Sequence, residues 1–104
     1  MKEMSVLEFK KMRDDGTPHQ HIDVREAFEY DHVNINGEHI PMSLVPMNLD
    51  KIRKDVPVIV QCKSGGRSGQ ICRFLEQRGY DNVYNLKGGI MAWVAEIDPS
   101  LPQP

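Results

Sequence analysis

The residues best equipped for chemistry lie in one short run, Cys62-Lys63-Ser64-Gly65-Gly66-Arg67-Ser68. A cysteine opens it, two glycines give the backbone freedom to turn sharply, and two cations stand within reach. Such a turn can aim successive N–H groups at one point and form an anion nest. If a helix starts there, its unpaired first N–H groups and the positive end of its dipole act at the same place. A thiol in that setting ionises more readily than a free one and works as a thiolate nucleophile near neutral pH. The competing reading, a buried inert cysteine, fits the electropositive surroundings less well.

The flanking elements must supply this geometry. Pro57 precedes Val58-Ile59-Val60, a β-branched run of the kind found in parallel strands covered on both faces. Beyond Arg67, the residues Ile71, Phe74 and Leu75 fall on one helix face, and Gly79 ends the helix. Strand, cysteine loop and helix thus form the central unit.

The chain has 104 residues, 39% apolar and 27% charged, with a formal net charge of -2. That predicts one soluble domain over 1–97, followed by a proline-rich flexible tail over 98–104. No long basic run marks a nucleic-acid or anionic-membrane surface, and no apolar run is long enough to span a bilayer. The charged N-terminus is unlike a signal peptide. The two cysteines, Cys62 and Cys72, lie too far apart along the helix to be bonded. Reduced thiols without an export signal suggest the cytoplasm.

Elsewhere, residues 2–4 suit a short strand. Ser5 and Glu8 have capping-box spacing for a helix over 5–14. A strand over His21–Val24 carries Asp23 and Arg25 at its end, and a short helix around Ala27–Tyr30 follows. Asp31–Glu38 reads as a loop, Ser43–Met47 as a short edge strand limited by Pro46, and Asn48 as the cap of a short helix. Val83–Leu86 suits a strand, Gly88-Gly89 a turn, and Ile90–Ile97 a helix. This alternation predicts an α/β fold with a mostly parallel sheet and helices on both faces. Ligands of such sheets bind beyond the strands' carboxyl ends, where Cys62, Asp23 and Arg25 all lie.

Four segments, IDVREAFEY (22–30), EHIPMSLVPM (38–47), VIVQCKSGGRS (58–68) and NVYNLKGGIMAW (82–93), resemble those of single-domain rhodaneses, which are sulfurtransferases. The resemblance implies an open rhodanese-like sheet of five parallel strands. It implies that Cys62 takes a sulfur from thiosulfate or a persulfide and passes it to a thiol, cyanide or protein acceptor, without a cofactor or metal. Lys63, Ser64, Gly65, Gly66, Arg67 and Ser68 become the substrate-binding loop, with Lys63 and Arg67 on the sulfonate of thiosulfate. Asp23 and Arg25 become supporting residues, more simply an internal ion pair than direct contacts. Where the family usually has a glycine-rich His-Ile-Pro motif, this chain has Glu38-His39-Ile40-Pro41-Met42-Ser43 behind a lengthened loop, which reshapes one pocket wall. A monomer or weak dimer is expected.

Two other readings remain beside this one. Cysteine phosphatases and arsenate reductases use a similar loop one residue longer, sized for a tetrahedral oxyanion. A non-catalytic docking or regulatory module would keep the fold without the chemistry. Cys72 is read as an inert thiol rather than a resolving one, His19 and His21 as too few for a metal site, and Ser68 as a helix-start hydroxyl.

Overall fold

The computed structural model describes residues 1–104. Its elements run β1 (Lys2–Met4), α1 (Val6–Asp14), β2 (Gln20–Asp23), α2 (Ala27–His32), β3 (Glu38–His39), two 3₁₀ turns (Met42–Met47 and Leu49–Lys51), β4 (Val58–Gln61), α3 (Gly66–Gln77), β5 (Val83–Leu86) and α4 (Gly89–Glu96). The five strands are all parallel in the order β1-β5-β4-β2-β3. The expected α/β architecture is therefore present, with β4 at its centre.

Strand pleating sorts the core into two layers, because successive side chains point to opposite faces. Val58 and Val60 of β4 join Ile22 and Val24 beneath Ile71, Cys72 and Leu75 of α3. Ile59, between them in sequence, joins Phe9 of α1 and Ile90, Trp93 and Val94 of α4 on the other side. All four residues of β4 are buried, as a strand sandwiched between helices requires. Each such aliphatic side chain contributes about 1.5–3 kcal/mol relative to an exposed one. Both layers fix β4, and with it the position of Cys62.

Local signals account for several boundaries. Ser5 caps α1, with Glu8 N–H donating to Ser5 Oγ at 3.1 Å and Ser5 N–H to Glu8 Oε1 at 2.9 Å. Gly79, just beyond α3, has φ of +89°, the left-handed conformation that a helix-ending glycine takes readily.

The edge next to β2 departs from expectation. Ser43–Met47 is not a strand; it lies in the 3₁₀ turn, and only Val45 of that turn is buried. The edge strand is instead Glu38–His39, paired with Ile22 and Asp23. Proline at 46 removes a ladder donor, whereas His39 is held in place by stacking on Tyr30 and by donating from Nε2 to Arg25 O at 2.7 Å. The segment expected to be loop is also more anchored: Asp31 and His32 end α2, Glu38 starts β3, and Val33 and Ile35 enter the core. Asn48 makes no side-chain cap; its Nδ2 donates back to Leu44 O at 2.7 Å. Residues 98–104, expected to fray, fold back so that Leu101 packs on the α1/α4 layer and Gln103 O accepts from His32 Nε2 at 2.9 Å. An apolar side chain that finds a core face is the physical reason.

Candidate active site: a cysteine at the start of α3

Chain direction places the carboxyl ends of β2, β4 and β5 along one edge of the sheet. Cys62 follows β4 directly, and the loop turns into α3 at Gly65, where φ is +112°. A side chain at Gly65 would be strained, since L-residues rarely take that conformation.

The loop curls around its own sulfur. Gly65 N–H donates to Cys62 Sγ at 3.1 Å and Ser68 Oγ approaches it at 3.2 Å. No side chain of the cap residue serves the first turn of α3. The sulfur therefore takes the place of an N-cap acceptor and satisfies donors that the helix start leaves open. Cys62 is only 1% exposed. Burial pushes its thiol up, but the Ser68 hydroxyl and the backbone N–H groups of Ser68, Gly65 and Ser64 outweigh that, and the thiol ends below its ordinary value. Hydrogen bonding to the charged form here beats desolvation.

Ser68 Oγ also donates to Asn85 Oδ1 at 2.5 Å, while Asn85 Nδ2 donates to Gly65 O at 3.0 Å. A hydroxyl has one hydrogen, so Ser68 serves the sulfur or Asn85 at a given moment. Asn85, from β5 and 3% exposed, thus supports the loop from below. Sequence reasoning passed over it, although an amide inside an apolar strand is itself a signal, asparagine being depleted there.

The loop is braced from the other side by α4. Ile90 N–H donates to Cys62 O and Met91 N–H to Lys63 O, both at 3.0 Å. A Cβ on Gly89 would stand 2.4 Å from Lys63 O and 2.6 Å from Cys62 O, so only glycine allows this approach. Gln61 Nε2 gives Cys62 O a further bond at 2.9 Å.

The charged residues sort differently from expectation. Lys63 is exposed. Arg67, expected to face a sulfonate, holds Glu29 of α2 with two parallel bonds, Nη1 to Oε1 at 2.6 Å and Nη2 to Oε2 at 2.9 Å. That pair, joined across the fold, was not foreseen. Asp23 and Arg25 form the internal ion pair that was the simpler reading. Arg25 Nε lies 3.0 Å from Asp23 Oδ1 and Nη2 lies 2.8 Å from Oδ2, with both residues at most 1% exposed. Arg25 also donates to Val33 O at 2.8 Å and Glu29 O at 3.4 Å. Its link to the loop is therefore indirect: it fixes the backbone of α2, from which Glu29 reaches Arg67.

Cys62, Ser64, Gly65 and Ser68 thus come together around one atom, Gly66 and Arg67 start the helix behind them, and Asp23 and Arg25 stand one step away. Cys72 is also free and buried, in the core beneath α3.

An open parallel α/β sheet with a thiolate-stabilising loop at the end of its central strand defines a class of cysteine-dependent group-transfer folds. Within that class, residues 5–96 match the model of the Rhodanese-like domain, and the chain belongs to that family. A crystal structure of a rhodanese-like domain protein from Staphylococcus aureus superposes with a TM-score of 0.85 at 32% identity, over 100% of this chain and 99% of that one. A protein named "Sulfurtransferase" from Allochromatium vinosum is 50% identical over 54 residues, which cover 52% of this chain and 50% of that protein. The chain therefore matches only half the length of that relative. "Putative sulfurtransferase YtwF" of Bacillus subtilis is 34% identical over 100 residues, covering 95% of this chain and 96% of that protein. No helix is long and apolar enough to cross a membrane.

Proposed function

We propose that this chain is a sulfurtransferase working through a Cys62 persulfide. The observation that carries the reading is the convergence of the Ser68 hydroxyl and the N–H groups of Ser64, Gly65 and Ser68 on a single sulfur. These groups stabilise the negative charge of the thiolate at that atom, and N–H donors of the same loop serve the charged outer sulfur of the persulfide, one bond further out. The thiolate attacks the outer sulfur of thiosulfate. A new S–S bond forms on Cys62, the old one breaks, and sulfite leaves with the bonding electrons. From an organic persulfide, the departing group is a thiolate, which takes the proton of the transferred sulfur. Attack by cyanide, a small thiol or a protein thiol on the outer sulfur returns Cys62 to its starting state. No general base is needed for a thiolate already formed.

Gly65, Ser64 and Ser68 hold the charge, Gly66 and Arg67 set the helix start, and Lys63 adds positive potential at the mouth. Asp23 and Arg25 support the site through α2. The test is to incubate the protein with thiosulfate or a persulfide and read the intact mass. One added sulfur on the wild type and none on Cys62→Ser is expected, with no hydrolysis of a phosphate ester. The 1% exposure of Cys62 favours a second reading, a non-catalytic docking module. A wild-type mass unchanged with every donor would overturn the sulfur-transfer reading.

A further inference from the structure

Arg67 is one of two cations in the cysteine loop, yet its guanidinium already has an anion. Both its parallel donors end on the Glu29 carboxylate, the geometry that a sulfonate would otherwise use. Glu29 is itself held: the Glu26 N–H donates to Oε1 at 3.0 Å, and Arg25, locked on Asp23, grips the Glu29 carbonyl. Its side chain is 17% exposed, so it is not a freely swinging surface group. The Arg67 guanidinium beside it, the strongest influence, brings its carboxyl down to about 2, and it stays charged throughout the physiological range.

We propose that Glu29 selects the sulfur donor: by filling the Arg67 fork, it turns the site away from dianionic sulfonate donors and toward organic persulfides lacking a fixed anion. Thiosulfate must either displace a three-donor carboxylate or approach beside it against like charge. A persulfide on an apolar body meets neither obstacle. A largely apolar cleft of about 530 Å³, bordered by Met42, Pro46, Ile71 and Phe74, lies further along α3 and offers such a body a surface. Ile71 and Phe74 continue the helix face of Arg67 by one and two turns, and Glu26, whose N–H holds Glu29, also lines the cleft. Glu29 touches neither sulfur nor donor in this scheme; it is a positioning residue acting through Arg67.

The inference rests on the proposed sulfur transfer, and the experiment separates the two. Initial rates of sulfur loading on Cys62 are read by mass for wild type, Glu29→Gln, Glu29→Asp and Glu29→Gln with Arg67→Ala. The donors are thiosulfate and benzyl persulfide. In Glu29→Gln, the thiosulfate-to-persulfide ratio of kcat/KM should rise at least tenfold, mainly through a lower KM for thiosulfate. Glu29→Asp, which keeps the carboxylate, should stay within about threefold of wild type, and removing Arg67 as well should cancel the gain. A wild type that loads from benzyl persulfide, with a ratio unmoved or lowered in Glu29→Gln, overturns the role of Glu29 alone. A wild type that loads from neither donor overturns the sulfur-transfer reading, and this inference with it.

Discussion

Cys62 and Cys72 are the same side chain, both free and both buried, ten positions apart in sequence. Yet their thiols are driven in opposite directions. Burial pushes Cys72 up to about 12. Burial pushes Cys62 up too, but the hydroxyl and N–H donors at the start of α3 reverse the sign. Cys72 sits in the body of the same helix, where the backbone N–H groups are spent on carbonyls one turn back. Reactivity here comes from where along a helix a cysteine meets the backbone. Depth below the surface does not decide it.

The largest contrast should appear in sulfur loading itself. Cys62→Ser is expected to abolish it, while Cys72→Ala should load at the wild-type rate and cost only core packing, read as a lower Tm. Loading that vanishes in Cys72→Ala would erase the distinction. A loop distortion comes next: Gly89→Ala forces a Cβ onto the Lys63 and Cys62 carbonyls. It should destabilise the fold by about 1–3 kcal/mol and slow loading more than Ala substitution on the exposed face of α4 does.

Removing the Ser68 hydroxyl should have a smaller effect, which pH should undo. Ser68→Ala takes away one donor to the thiolate, so the Cys62 pKa should rise and loading at neutral pH should fall, by at most about tenfold for each unit of rise. Alkaline pH should restore the rate. A loss that persists at high pH would mean Ser68 only shapes the loop.

The gentlest probe is stability against pH. Cys62 ionises at lower pH folded than unfolded, so between its folded value and the ordinary thiol range the unfolded chain binds more protons. Stability should rise with pH across that window and then level off. Cys72 does the reverse: above the ordinary thiol range only the unfolded chain has lost its proton, and stability should fall toward pH 12. Denaturant titrations of Cys62→Ser and Cys72→Ala should each flatten one limb of this profile. An unchanged alkaline limb in Cys72→Ala would show that another group causes it.

Much of the layout was legible because it follows from local rules. The β-branched run at 58–60, the Ser5–Glu8 box and Gly79 all carry their instructions in neighbouring residues. The reactive loop was legible for the same reason, since cysteine, glycines and helix start are contiguous. What escaped depends on partners brought in by the sheet. Nothing near Arg67 in sequence announces Glu29, 38 positions away, and Asn85 gains its meaning only when β5 lies beside β4. The strand expected over Ser43–Met47 failed because apolar residues around a proline suit a 3₁₀ turn as well as an edge.

The clamp that α4 places on the cysteine loop has a consequence for biosynthesis. The amides of Ile90 and Met91 hold the carbonyls of Cys62 and Lys63, so a nascent chain that has passed the ribosome only as far as α3 still lacks those braces. Domains emerge amino end first. The loop around the thiol therefore gains its last braces only after α4 has been made.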